Sequence, residues 1–383
     1  MKKNKHKLYC SHFPTCLACP LLGENNISHQ IIQPLQELAQ QNKLPNIQII
    51  EGQKKHYRYR SRLATRGRYQ SPKIGLFQKN SHKIVDIPNC PVHHPTINKI
   101  VATLKTIIYQ EKIPLYQEYN HQGLLRYLQI VTERQSLSSQ IVLVGNTQNY
   151  QSLQIIADKL QEKLKNSIHS IWFNGNTSNK NNILGDTWHL YYGNETISEI
   201  INNSTVLFPP GAFGQSNLNL ADKIIQTITS WVFHHAHIVE FYAGCGSIGL
   251  GLLKNAQSYQ FNEISPQSLH GLKLSLKLQT QINQNKISIH EGIAGSFSNL
   301  IKNADIVIVD PPRKGLDPPI LQQLIKTPPQ RFIYLSCGLN SFLKETQILL
   351  DSKKFTLKKI QPFNLFPYTN HIETLALFEH IIP

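Results

Sequence analysis

The sequence predicts an α/β protein: a mostly parallel, doubly wound sheet in the C-terminal half, joined to a smaller α+β module. Three observations predict it. From about residue 206 onward, short apolar strand runs alternate regularly with helical patterns, the rhythm of a parallel sheet flanked by helices. The first of those strand runs ends in a glycine turn, Gly244–Cys245–Gly246. Before that point helices and strands also alternate, but without a regular rhythm. A chain of 383 residues has room for two or three domains and a large core.

Residues 1–95 are expected to form a basic, turn-rich segment that carries Cys10, Cys16, Cys19 and Cys90. Its stretch Lys54–Tyr69 alternates charged and aromatic residues. On a strand, Arg58, Arg60 and Arg62 would line one side and Tyr57 and Tyr59 the other. Phosphate contact with base stacking nearby is the functional reading; an edge strand guarded by charge is the alternative. Residues 96–205 are expected to form an α+β module packed on the first segment. Ile97, Ile100, Val101, Leu104, Ile107 and Ile108 follow helical spacing, as do Leu153, Ile156, Leu160 and Leu164. Leu124–Glu133 and Ser139–Gly145 read as strands, and Asn174–Asn182 as a polar loop.

The third unit, residues 206–383, begins near the turn-rich run Phe208–Asn217. Ala236–Gly244, Ser258–Ile264, Lys286–Gly292, Ala304–Asp310 and Arg331–Cys337 read as strands. Ser247–Ala256, Ser265–Gln279 and a segment around Ile320–Ile325 read as helices. His234, His235 and His237 just precede a core strand and read as helix-end or surface residues.

The formal charge is +16, from 39 Lys and Arg against 23 Asp and Glu. Such an excess points to a polyanionic partner, usually nucleic acid, with coding bias as the bland alternative. No apolar run is long enough to span a membrane, and no apolar stretch follows the basic start; a cytoplasmic protein with no membrane partner is expected. Three of the six cysteines cluster near the N-terminus, which is unlike a secreted disulfide scaffold and suits a metal site.

In open α/β sheets ligands bind beyond the carboxyl ends of strands. Gly244 and Gly246 permit close backbone approach there. Glu263, at the end of the second strand, is placed to accept both hydroxyls of a ribose; an exposed strand-end carboxylate is the alternative. No phosphate-binding lysine loop accompanies the turn, which leaves NAD-like or S-adenosylmethionine (SAM) binding, and the other strand tips favour SAM. Asp310 opens Asp-Pro-Pro-Arg after an apolar strand, and its prolines fix the turn. Cys337 ends the next strand. A cysteine there is otherwise a small buried hydrophobe, but the neighbouring motif points to chemistry. Uracil C5 is a poor nucleophile. A thiolate added at C6 creates an enolate whose C5 attacks a methyl sulfonium, and a base then removes the C5 proton. Glu373, in Thr369–Thr374, is the candidate base; His371 is second, and more suited to positioning the loop.

With these motifs the chain resembles the bacterial SAM-dependent RNA uracil-C5 methyltransferases, especially the 23S rRNA branch. The likeness runs from the N-terminal cysteines through Leu124–Tyr127, Asn181–Asp186 and Phe213–Asn217 to the strand tips and Phe366–Thr374. It implies a Rossmann-like class I methyltransferase domain, with Cys337 as nucleophile and Glu373 as base. Gln215, Tyr242, Glu263 and Asp310 fall on cofactor-site positions, and Phe213 and Gln215 on an element beside the reaction centre. It also implies a [4Fe–4S] cluster on Cys10, Cys16, Cys19 and Cys90. A zinc site on the same cysteines, with His93 or His94 as substitutes, is the alternative.

The chain departs from the family pattern at Ile293, Ser247 and Gly338, where relatives usually carry other residues. The first cysteine, already at residue 10, leaves no room for the extra N-terminal β-barrel of some rRNA members. The expectation is a monomer that flips a uridine out of 23S rRNA and makes 5-methyluridine. A tRNA substrate, or a non-catalytic RNA-binding factor that retains SAM, are the rival readings.

Overall fold

The computed structural model describes residues 8–24, 26–79 and 81–382; the basic start of the chain, residues 1–7, lies outside them. Helix α1 (His29–Gln41) buries Ile31, Leu35, Leu38 and Ala39 on one face. After the short β1 (Ile50–Glu51), strands β2 (Arg60–Arg68), β3 (Ser71–Phe77) and β4 (Ile84–Asp86) run as an antiparallel meander. Helix α2 (Pro95–Gln110) starts with proline in its first turn, where a missing N–H costs nothing, and buries all six of the apolar residues whose spacing predicts it. Strands β5 (Leu125–Thr132) and β6 (Ser139–Gly145), helix α3 (Gln154–Leu164), and strands β7 (Ile168–Gly175) and β8 (Thr187–Gly193) follow. They complete a seven-stranded sheet in the order β4-β3-β2-β5-β6-β7-β8. Only β6 and β7 pair in parallel, across the α3 crossover.

Strands β9 (Ile197–Ile201) and β10 (Ser204–Phe208) pair as a hairpin that leads to helix α4 (Leu218–Trp231). The remaining elements are β11 (His237–Phe241), β12 (Ser258–Glu263), α5 (Pro266–Lys277), β13 (Ile287–Glu291), β14 (Ile306–Val309), α6 (Pro318–Lys326), β15 (Arg331–Ser336), α7 (Leu339–Asp351), β16 (Phe355–Asn364) and β17 (Glu373–His380). The second sheet has the order β1-β16-β17-β15-β14-β11-β12-β13. Its β11 to β15 strands are parallel. Strand order reverses on the two sides of β11, with β12 on one side and β14 on the other. That switch point opens a crevice at the strand tips, where Tyr242, Glu263, Asp310 and Cys337 lie.

Four features differ from the sequence-based expectation. Ser247–Ala256 is not a helix: it is a run of turns with one short 3₁₀ segment at Gly249–Leu252. Gly249 sits so close to Glu240 and Phe261 that a Cβ there would come within 2.4 Å of each, and two glycines weaken any helix. The sheet also continues past β15 in antiparallel strands β17 and β16, which the regular βα rhythm does not announce. Residues 1–95 do not hold together as one packing unit. The α1 residues Ile31, Leu35 and Leu38 share a core with Val239, Phe241, Val307 and Phe332 of the second sheet, and β1 pairs with β16. Strands β2 to β4 instead share one sheet with residues 125–193. The β9–β10 hairpin spans the 205/206 boundary. Among the described residues, no helix is long and apolar enough to cross a membrane.

Candidate active site

The chain leaves β11 through three residues of positive φ: Tyr242 at 61°, Gly244 at 59° and Gly246 at 86°. Tyr242 is a bulky residue in this region, and its hydroxyl is tied down by accepting from Asp317 N–H at 3.0 Å. A Cβ on Gly246 would strike Leu272 at 2.7 Å, whereas one on Gly244 would meet nothing within 4 Å. Gly244 therefore borders open space, which a ligand can approach closely. Glu263, buried, accepts from the backbone N–H groups of Gly244 at 2.7 Å, Ile264 at 2.8 Å and Ser265 at 2.7 Å. Those bonds fix its carboxylate at the edge of the turn and leave acceptor capacity for a ribose hydroxyl. Phe213, Gln215, Tyr242, Gly244, Ser247 and Asp310 line one cavity. The residues present fit SAM: an acidic edge for ribose, an open glycine turn, and Gln215 and Asp310 as polar lining. Ile293 is exposed and is not part of that lining.

Cys337 follows β15 by one residue, and Glu373 opens β17. The pairing of Ser336 with Thr374 sets them side by side at the tips of adjacent antiparallel strands. The Cys337 thiol lies 3.9 Å from Pro311 O. Burial, then Glu373 and Asp310, push the thiol up to about 11, while Arg313 pulls it down. Burial and Asp310 raise Glu373 to about 8, again against Arg313. Asp310 rises to about 7 through burial and Glu263. Burial and neighbouring negative charge thus favour the protonated forms of this thiol and both carboxyls.

Sequence reasoning passes over two residues here. Arg313 donates to His371 Nε2 at 3.4 Å, so its guanidinium holds the loop before Glu373; its place in Asp-Pro-Pro-Arg is the signal that finds it. Glu345 accepts from Leu316 N–H at 3.0 Å and from the Tyr334 hydroxyl at 2.6 Å, anchoring the Asp310 loop from α7. Nothing in the helix pattern distinguishes it. The glycine at 338 has a local cause: a Cβ would lie 2.5 Å from Arg313 O.

Arg58, Arg60 and Arg62 come together around one cavity, with Ser61 also in its lining. With Gln129, Phe213 and Gly214 they line this cavity of about 300 Å³ beside the strand tips. Arg60 lies over the Phe208 ring at 4.1 Å, and burial lowers it to about 10. Arg62 Nε donates to Gln129 Oε1 at 2.7 Å. Phe213 is 64% exposed and free to stack. The two tyrosines are used differently from the stacking expectation: Tyr57 is buried and Tyr59 stacks on His94 at 4.9 Å.

Cys10, Cys16, Cys19 and Cys90 line a separate cavity of about 140 Å³, walled by Leu8, Leu22, Tyr57 and Val92. Burial first, then Cys90, Cys16 and Cys10, raise Cys19 to about 12, which favours its thiol form. Among the described residues, no three of His, Cys, Asp and Glu are spaced to share a single metal ion. The four cysteines around this one cavity are the residues that would hold an iron–sulfur group. His93 lines this cavity, with Nε2 3.1 Å from Ser61 Oγ. His94 instead caps α2, accepting from Thr96 N–H at 3.3 Å.

Sheet order, switch point and strand-tip cavity define a class I SAM-dependent methyltransferase. The family model described as tRNA (Uracil-5-)-methyltransferase matches residues 25–381, and the chain belongs to that family of RNA methyltransferases. An uncharacterized RNA methyltransferase of Protochlamydia amoebophila is 37% identical over 385 residues, covering 98% of each chain. One of Geobacter sulfurreducens is 27% identical, covering 98% of this chain and 77% of that one. The crystal structure of Pyrococcus abyssi tRNA (uracil-54, C5)-methyltransferase in complex with S-adenosyl-L-homocysteine superposes with a TM-score of 0.76 at 22% identity, covering 95% of this chain and 86% of that one. At that identity the likeness concerns the fold.

Proposed function

We propose that the protein methylates C5 of a uridine in 23S rRNA, with Cys337 as nucleophile and Glu373 as base. The observation that carries the reading is the pairing of the β15 and β17 tips, which sets a thiol and a buried carboxyl together beside the cofactor cavity. Cys337 adds to uracil C6 and the ring becomes an enolate, nucleophilic at C5. Bound SAM supplies the electrophilic methyl group. Glu373 takes the C5 proton, the C5–H electron pair forms the C5=C6 bond, and the C6–S pair returns to Cys337 as thiolate. Gln215, Tyr242, Gly244, Glu263 and Asp310 hold the cofactor. Arg58, Arg60 and Arg62 grip phosphates, and Phe213 faces the flipped base.

The rRNA assignment rests on the four-cysteine cavity, a feature the resemblance to the 23S branch implies, where Cys10, Cys16, Cys19 and Cys90 would hold an iron–sulfur group that would tie down the N-terminal segment. A tRNA substrate is the second reading, since the Pyrococcus abyssi protein of the same fold is a tRNA (uracil-54, C5)-methyltransferase. Incubation with labelled SAM and either unmodified rRNA or unmodified tRNA, followed by digestion and mass spectrometry of nucleosides, tests both. Labelled 5-methyluridine from rRNA alone is the expected result. The same product from tRNA alone keeps the chemistry and overturns the substrate.

A further inference from the structure

The loop that delivers Glu373 is built on the cysteine segment. Tyr368 adopts φ 65°, which a bulky residue takes only when its surroundings impose it. Two main-chain hydrogen bonds impose it, both with the N-terminal segment. Leu21 N–H donates to Tyr368 O at 3.0 Å, and Tyr368 N–H donates to Asn26 O at 3.0 Å. The Tyr368 ring is buried among Leu8, Leu22, Tyr57 and Val92, and Cys10, Cys19 and Cys90 pack against the same cluster. One residue on, Thr369 lines the four-cysteine cavity. Its hydroxyl donates to Phe366 O at 2.7 Å and accepts from His371 N–H at 3.3 Å. Glu373 then opens β17.

We propose that the four-cysteine site is a positioning device for the base. When filled, it orders the segment that clamps Tyr368 and Thr369 in their turn, and that turn sets the approach of Glu373. Tyr368 is then a positioning residue for one step only, removal of the C5 proton with release of the Cys337 sulfur. The inference rests on the methylation reading above. Thiolate addition depends on the β15 tip and SAM binding on the β11 and β12 tips, which the parallel part of the sheet holds. Loss of the clamp therefore leaves those two events and stalls the enzyme as a covalent protein–RNA adduct.

The test uses the full chain, reconstituted with iron and sulfide, in single turnovers with SAM and unmodified RNA. Adduct is read on denaturing gels beside 5-methyluridine, with Glu373→Gln as the reference for a trapped complex. Tyr368→Ala and Cys19→Ser are expected to accumulate adduct at least about fivefold over the unaltered protein, with SAM affinity kept within about twofold. Tyr368→Phe, which keeps the ring in its core, is expected to behave as the unaltered protein. If Cys19→Ser does not fold, Thr369→Val, which removes only the hydroxyl, must show the same accumulation. Addition and release slowed in parallel, or a normal ratio of adduct to product in these variants, overturns the proposal. An unaltered protein that forms neither adduct nor 5-methyluridine overturns the methylation reading as well.

Discussion

A thiol held near 11 is almost wholly protonated at neutral pH, so Cys337 gains reactivity as pH rises. Glu373, held near 8, gains its basic form over the same direction. Single-turnover methylation is therefore expected to climb between about pH 6 and about pH 9, measured as labelled 5-methyluridine. A flat or falling profile would contradict the two protonated ground states. Cys337→Ala is expected to lose roughly a thousandfold or more in product formation while SAM binding, read by calorimetry, persists. Cys337 is legible in the sequence because it ends a recognisable strand run, and Glu373 through the Phe366–Thr374 motif that carries the family resemblance. Arg313 carries a signal only through its place in Asp-Pro-Pro-Arg, and Tyr368 carries none, because it acts through its backbone conformation.

Among the elements, the loop after β14 turns at Gly315, with φ 89° and Glu345 Oε1 only 2.1 Å from where a Cβ would stand. Gly315→Ala should cost about 1–2 kcal/mol or more in denaturant unfolding. It should also displace Asp310 and lower SAM affinity. Inside β11, burial raises Glu240 from 4.5 to about 8, although the Tyr259 hydroxyl donates to it at 2.7 Å. A carboxyl raised in the folded state contributes stability that is full below 4.5 and lost as pH rises through about 8. The melting temperature of Glu240→Gln should thus fall less between about pH 5 and about pH 8.5 than that of the unaltered protein. Equal falls would show that this group titrates normally. Regular alternation made the parallel strands, α5 and α6 legible, and helical apolar spacing made α2 and α3 so. Segment 247–256 misled because its apolar spacing serves close packing through Gly249, and β16 and β17 were hidden because antiparallel additions break the βα rhythm.

For the whole molecule, the charge of +16 and the arginine groove belong together. RNA affinity should fall steeply with salt, and Arg62→Gln should reduce the slope of log affinity against log salt by about one. An unchanged slope would remove Arg62 from the phosphate contacts. The charge was readable in composition, and the path of the N-terminal segment was not. Its α1 and β1 join the catalytic sheet while β2 to β4 join the other, because apolar faces found partners far along the chain. The measurement that tests the central claim most directly is mass spectrometry of Glu373→Gln after reaction with SAM and unmodified RNA, digested to peptides and nucleotides. The account predicts a peptide containing Cys337 joined through sulfur to a methylated uridine. A methylated nucleoside released freely, or an adduct on any other residue, would contradict it.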